Sequence, residues 1–111
     1  MVVFVEQLSL TGTEPEFRRI HQRIAEFMAD RPGFVRWLLV RSAKEPGVFF
    51  NIAEWDDEES FRAAVAEPEF MVRLRPLFAV VAQDHSHMND VVFSGFPAPE
   101  GTAPAAPGGA R

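Results

Sequence analysis

The chain has 111 residues, enough for one domain with one core. Its net charge of -5 and the lack of any Lys/Arg cluster exclude a phosphate-binding surface, so nucleic acid is not an expected partner. Cysteine is absent, which removes disulfide and thiolate chemistry; no apolar run reaches the roughly 18 residues a membrane span requires. Met1–Leu10 has no basic start followed by a cleavage site, so it does not read as a signal peptide, and a cytoplasmic location is the default expectation.

Val2–Leu10 is rich in β-branched and aromatic residues and reads as a strand that Thr11-Gly12 breaks. Thr13 with Glu16 three residues on forms a capping box, and Pro15 fits the first turn of a helix. That helix carries an apolar stripe of Phe17, Ile20, Ile24, Phe27 and Met28 and stops at Pro32-Gly33. Phe34–Ser42 is a second strand; Glu45-Pro46-Gly47 turns it into a third, Val48–Trp55. Asp56 with Glu59 is a second capping box opening a short helix through Ala66. A further helix is expected over Glu69–Ala82, with a stripe of Phe70, Met71, Leu74, Leu77, Phe78 and Val81, and Pro76 should kink it or end its regular part. Asp84–Phe93 is the last strand. After Pro97 the chain is mostly Pro, Ala and Gly without apolar periodicity, so residues 97–111 read as a disordered tail behind a domain of residues 1–96.

The order β-α-β-β-α-β is the ferredoxin-like arrangement of the α+β class, an antiparallel sheet with helices on one face. The second strand does not alternate: Phe34, Val35, Trp37, Leu38, Leu39 and Val40 put apolar groups on both sides. Helices can cover one side only, so a second copy is expected on the other, giving a homodimer packed sheet to sheet. In the third strand Phe49, Asn51, Ala53 and Trp55 share a face, because residues two apart in a strand point the same way. A buried amide or indole N–H needs a partner, supplied either by the fold or by a ligand. His85 and His87 also share a face, with Asp84 alternating to the other; two histidines lack the further ligands that a metal site requires, so none is expected. His21 can point inward from the first helix, and any of the three histidines is a candidate general base. Arg73 and Arg75 flank the last helical stripe equally by helical angle.

The element order, the length and the run Phe49-Phe50-Asn51-Ile52-Ala53-Glu54-Trp55 before an acidic helix start resemble the antibiotic biosynthesis monooxygenases, and within them the anthrone-type oxygenase branch. The resemblance covers about residues 2–93. It implies a dimeric α+β barrel that oxidises a small polycyclic phenolic substrate to a quinone with O2 and without flavin, haem or metal; the substrate's own carbanion reduces oxygen. It also implies catalytic roles for Asn51 and Trp55 as hydrogen-bond donors and for Arg75 as the group that stabilises an anion. Phe49, Phe61, Phe78, His21 and His85 are the expected substrate-binding residues. Some members of the branch carry a Tyr in the helix after the Trp. This chain has no Tyr, and Phe61 stands there. The haem-degrading relatives of the same fold need an axial His in that helix, and Phe61–Ala82 contains none. A polyketide cyclase, or a small-molecule-binding protein without catalysis, would use the same aromatic cavity without O2.

Overall fold

The computed structural model describes residues 1–98; most of the expected tail, residues 99–111, lies outside the described residues. Strand β1 (Val2–Leu10) is followed by helix α1 (Glu14–Ala29), strands β2 (Phe34–Arg41) and β3 (Val48–Trp55), helices α2 (Glu58–Val65) and α3 (Pro68–Leu74), a 3-10 turn at Arg75–Ala79, and strand β4 (Val81–Asp90). The strands form one antiparallel sheet in the order β2-β3-β1-β4. This is the ferredoxin-like α+β arrangement that the sequence pattern implies. Among the described residues no helix is long and apolar enough to cross a membrane.

Local chemistry sets the element ends. The Thr13 hydroxyl accepts from the Glu16 amide at 3.4 Å, satisfying one of the free N–H groups at the start of α1. The second cap falls one residue later than the capping-box pattern suggests: Asp57 accepts from the Ser60 amide at 2.8 Å. Its carboxyl sits below the usual carboxylate range, chiefly because of the Ser60 backbone hydrogen bond. Gly33 adopts φ 85°, and a side chain there would collide with Ser60. Its carbonyl accepts from the Asp56 amide at 2.7 Å, which pins the α1–β2 turn to the end of β3, next to Trp55.

The last helical segment departs from expectation. Pro76 does end the regular helix, but α3 stops at Leu74 and one 3-10 turn follows, so the expected helix over Glu69–Ala82 is cut short. Strand β4 starts at Val81 and ends at Asp90, earlier at both ends than the composition indicates. Val81 and Gln83 belong to the strand ladder, opposite Leu10 and Leu8. The apolar period that Val81 shares with the helix stripe concealed this change of element.

The core is divided. One cluster gathers Leu8, Phe17, Phe49, Leu77, Val80 and Val81. The other gathers Val2, Trp55 and Ala64, with Phe34, Ala53, Phe61, Met28 and Met88 packed around them. Along β1 the helix-side residues are Val2, Phe4, Glu6 and Leu8; along β3 they are Phe49, Asn51, Ala53 and Trp55. The ladder sets Glu6 directly opposite Asn51. A polar pair therefore crosses the sheet between the two apolar clusters.

Candidate active site

A cavity of about 230 Å3 opens at that interruption. Its floor is the sheet, through Phe4, Glu6, Asn51, Trp55 and Gln83, and its roof comes from α1, α2, α3 and the 3-10 turn. The walls are mostly apolar and aromatic, the usual character of a small-molecule site. Rings define one end. Phe61 stacks on Phe4 with centroids 5.0 Å apart, and Trp55 meets Phe34 and Phe61 edge to face at 5.2 and 5.8 Å. Trp55 is fully buried, yet its Nε1–H has no hydrogen-bond partner among the described residues. An unpaired buried donor costs about 1–3 kcal/mol, so Trp55 holds unused hydrogen-bonding capacity in the cavity wall.

The polar end is a connected chain. His21, buried on the inner stripe of α1, places Nε2 3.1 Å from Asn51 Oδ1. The amide oxygen can only accept, so Nε2 carries the hydrogen and Nδ1 of the neutral ring is left as an acceptor. Asn51 also hydrogen bonds to the Glu6 carboxyl, as does Nε2 of Gln83 on β4. Burial holds His21 below the ordinary imidazole value, against the opposing effect of its Asn51 hydrogen bond. Burial also raises the Glu6 carboxyl, while the hydrogen bonds from Asn51 and Gln83 act the other way. Both shifts favour the neutral form of each group. Glu6 and His21 are the titratable side chains among the residues lining the cavity.

The expected site residues divide on this geometry. Asn51, Trp55, Phe61 and His21 come together in the cavity, and Phe78, 56% exposed, reaches its rim. Phe49 does not line it; the ring is 4% exposed and packs on Phe17 at 5.0 Å in the neighbouring core cluster. Arg75 is exposed at the start of the 3-10 turn and lies outside the cavity lining. Arg73 is tied to Glu69 and to the Arg23 carbonyl, also outside it. His85 lies on the opposite sheet face, beside Gln7 in the ladder. A bulge between Gln7 and Leu8 explains a further difference. The extra residue breaks strict alternation, and Asp84 turns to the outer face, where it accepts from Ser9 at 2.6 Å and from Gln7 at 3.3 Å. Asp84, His85 and His87 thus share a side, but among the described residues no three of His, Asp or Glu gather as a metal site would require.

Two members of the cavity's polar chain were missed from sequence, Glu6 and Gln83. The signal for Glu6 was available: it is the one charged residue in the alternating set Val2, Phe4, Glu6, Leu8. Gln83 had no such signal, because it fell between the expected helix, ending at Ala82, and the expected strand, starting at Asp84.

The model of the antibiotic biosynthesis monooxygenase family matches residues 10–72. The chain is 37% identical over 84 residues to deoxynogalonate monooxygenase of Streptomyces nogalater, an alignment covering 76% of this chain and 71% of that protein. It superimposes on the crystal structure of SnoaB, a cofactor-independent oxygenase from Streptomyces nogalater, with a TM-score of 0.74 and 31% identity over 89% of this chain and 96% of that one. A Deinococcus radiodurans structure, 18% identical with a TM-score of 0.72 over 88% of this chain and 99% of that one, shares the fold alone.

Proposed function

The chain belongs to the antibiotic biosynthesis monooxygenase family and is a monooxygenase, and we propose that it oxidises an anthrone- or naphthacenone-like polycyclic phenol to a quinone with O2 and no cofactor. The observation that carries this reading is the interruption of the core: an aromatic-walled cavity crossed at its centre by Glu6, Asn51 and His21. Phe4, Phe34, Trp55 and Phe61 pack on one another as an aromatic wall against which a flat phenolic ring system can lie, with its oxygen atoms toward the polar chain. The relatives add weight, since SnoaB is described as a cofactor-independent oxygenase.

The chemistry lies largely in the substrate. Loss of a proton from a methylene beside the aromatic carbonyl leaves a delocalised carbanion. That carbanion reduces O2 by one electron, and the radical pair combines to a carbon-bound peroxide. Expulsion of hydroxide from the peroxide, with loss of the second methylene proton, gives the carbonyl. The balance is CH2 plus O2 to C=O plus H2O, with no outside reductant. The protein orients the ring system, excludes water and stabilises oxyanions. Asn51 has a second amide hydrogen beyond the one Glu6 takes, and with the unpartnered Trp55 indole it provides donors for the carbonyl or peroxide oxygen. Arg75, exposed in the single chain, is not needed for that role.

We also propose a homodimer that covers the outer sheet face, where Leu38 and Val40 are 41% and 38% exposed and pair in the ladder with Ile52 and Phe50.

The test is oxygen uptake with 1,8-dihydroxyanthrone. One O2 consumed per quinone formed, without added flavin or metal and after dialysis against a chelator, is the expected result. Ring closure of a polyketide chain without O2 uptake, or activity restored only by iron, copper or flavin, would replace this reading.

A further inference from the structure

We infer that Glu6 is the catalytic base of this site, taking the substrate's two methylene protons in turn and delivering the first to the peroxide anion and the second to the departing hydroxide. This rests on the oxygenase reading above. The position of Glu6 is the first ground. Its neighbours on the same face of β1 are Phe4 and Leu8, and both apolar clusters pack within one strand position of it. An aliphatic residue there would close the gap in the core and stabilise the fold. A carboxylate instead carries a desolvation cost that packing alone does not explain.

The second ground is the geometry of its partners. The titratable and polar groups that face Glu6 are few: His21 from α1 at the far side of Asn51, Asn51 from β3, and Gln83 from β4. Gln83 and Asn51 each take a lone pair of the carboxylate, which has about four. They fix its plane while leaving acceptor positions for a proton from the substrate. Among the residues that line the cavity there is no cation to hold the carboxylate charged.

His21 is the competing candidate, and its geometry is poorer. Its Nε2–H is engaged by Asn51. The ring packs against Phe17 at 6.0 Å and Trp37 at 5.2 Å, and it borders a second, outward groove between α1 and β2 as well as the cavity. We assign His21 the positioning of Asn51.

The proton balance closes through one carboxyl. Glu6 in its anionic form accepts the first methylene proton, and the C–H electron pair stays on the carbanion. After O2 adds, Glu6 returns that proton to the peroxide anion. The regenerated carboxylate then removes the second C–H proton as the C=O bond forms and the O–O bond breaks. It gives that proton to the leaving hydroxide, forming water. Burial favours the protonated carboxyl, which strengthens Glu6 as a base toward a weak carbon acid.

Deuterium exchange at the methylene of 1,8-dihydroxyanthrone, followed by proton NMR in D2O under argon, isolates the proton step from oxygen. The whole chain should accelerate exchange. Glu6→Gln keeps the shape and, through its amide oxygen, can still accept a hydrogen bond from Asn51 or Gln83, but cannot accept the proton; exchange should fall about 100-fold or more, with KM nearly unchanged. Glu6→Asp should recover part of the rate, and its exchange, like the wild type's, should rise with pH as the carboxyl ionises, which guards against a folding defect in Glu6→Gln. Exchange at the wild-type rate in Glu6→Gln, while the wild type oxidises the probe, overturns the assignment and leaves the oxygenase reading standing. Loss of exchange in His21→Gln with Glu6→Gln unaffected moves the base to His21. A wild-type chain that neither exchanges nor oxidises the probe overturns the substrate reading and this assignment with it.

Discussion

The two faces of the sheet are built from the same strands and differ in almost everything else. The helix side buries Trp55, Phe17 and Leu8 completely and surrounds a polar chain with rings. The outer side leaves Leu38 and Val40 exposed, with Val5, Ile52 and Phe50 only half-buried beside them, and carries Arg36 paired with Glu54 at 2.8 Å, Asp84 and two histidines. On the helix side polar residues are few and linked to one another, from exposed Gln83 through half-buried Glu6 and Asn51 to buried His21. On the outer side they sit at the strand ends, at Gln7 of β1 and along β4, beside an apolar patch. The first pattern suits a small ligand and the second suits another protein surface. One period-two alternation thus gives one sheet two chemically different faces.

The largest effect that would sharpen this contrast is on the helix side. Trp55→Phe keeps the ring contacts with Phe34 and Phe61 but loses the indole donor. It should fold normally and lower kcat by about 10²–10³, the loss typical of one donor to a developing oxyanion. Trp55→Ala should instead cost about 3–5 kcal/mol of stability, because the ring is fully buried. Stopped-flow oxidation and thermal melts separate the two; an unchanged kcat in Trp55→Phe would make Trp55 a wall and nothing more.

The outer face should answer to a different change. Leu38→Arg puts a charge in the middle of the apolar patch, opposite Ile52. Sedimentation at micromolar concentration should give a dimer for the wild-type chain and a monomer for this variant, with the far-ultraviolet circular dichroism unaltered. A wild-type monomer would remove the second copy from the picture.

Much of this contrast was legible in the sequence, and the limits have physical causes. The alternation of Phe49–Trp55 placed Asn51 and Trp55 on one face, and the two-sided apolar run of β2 exposed the need for a cover. Helix periodicity put Phe17 and His21 inward. Periodicity describes direction and not depth, so it could not separate Phe49, packed in the core, from Phe61, which borders the cavity. Nor could it anticipate a bulge, since an extra residue in one strand shows only in the pairing with its neighbour. Helical angle likewise left Arg73 and Arg75 equal, with only the family resemblance favouring Arg75, and the helix ends one residue before Arg75.

A smaller effect comes from buried His21 and half-buried Glu6, which pull stability in opposite directions with pH. The folded His21 has a depressed value, so its contribution is intact above the unfolded value near 6.5 and is lost as pH falls toward the folded one. The folded Glu6 has a raised value, so its contribution is intact below the unfolded value near 4.3 and is lost as pH rises through the folded one. Melting temperatures between pH 4 and 8 should therefore show His21→Gln gaining on the wild type as pH falls below about 6.5, by at most about 1.4 kcal/mol per pH unit. Glu6→Gln should gain on the wild type as pH rises above the unfolded carboxyl value. Parallel curves for wild type and variants would mean that neither group is buried as described.

The smallest expected effect is also the sharpest test of the division between faces. His85 and His21 are the same residue type, and sequence alone gave both a place near the substrate. The ladder puts His85 next to Gln7, with the sheet between it and the cavity, and its side chain is exposed. His85→Gln should alter kcat/KM by less than about twofold and stability by no more than about 0.5 kcal/mol, as surface substitutions usually do. His21→Gln removes the hydrogen bond that orients Asn51 and should lower kcat well beyond that. If the two variants lost activity equally, His85 would have to reach a substrate from the outer face. The cavity between sheet and helices would then not be the only place where this chain meets its ligand.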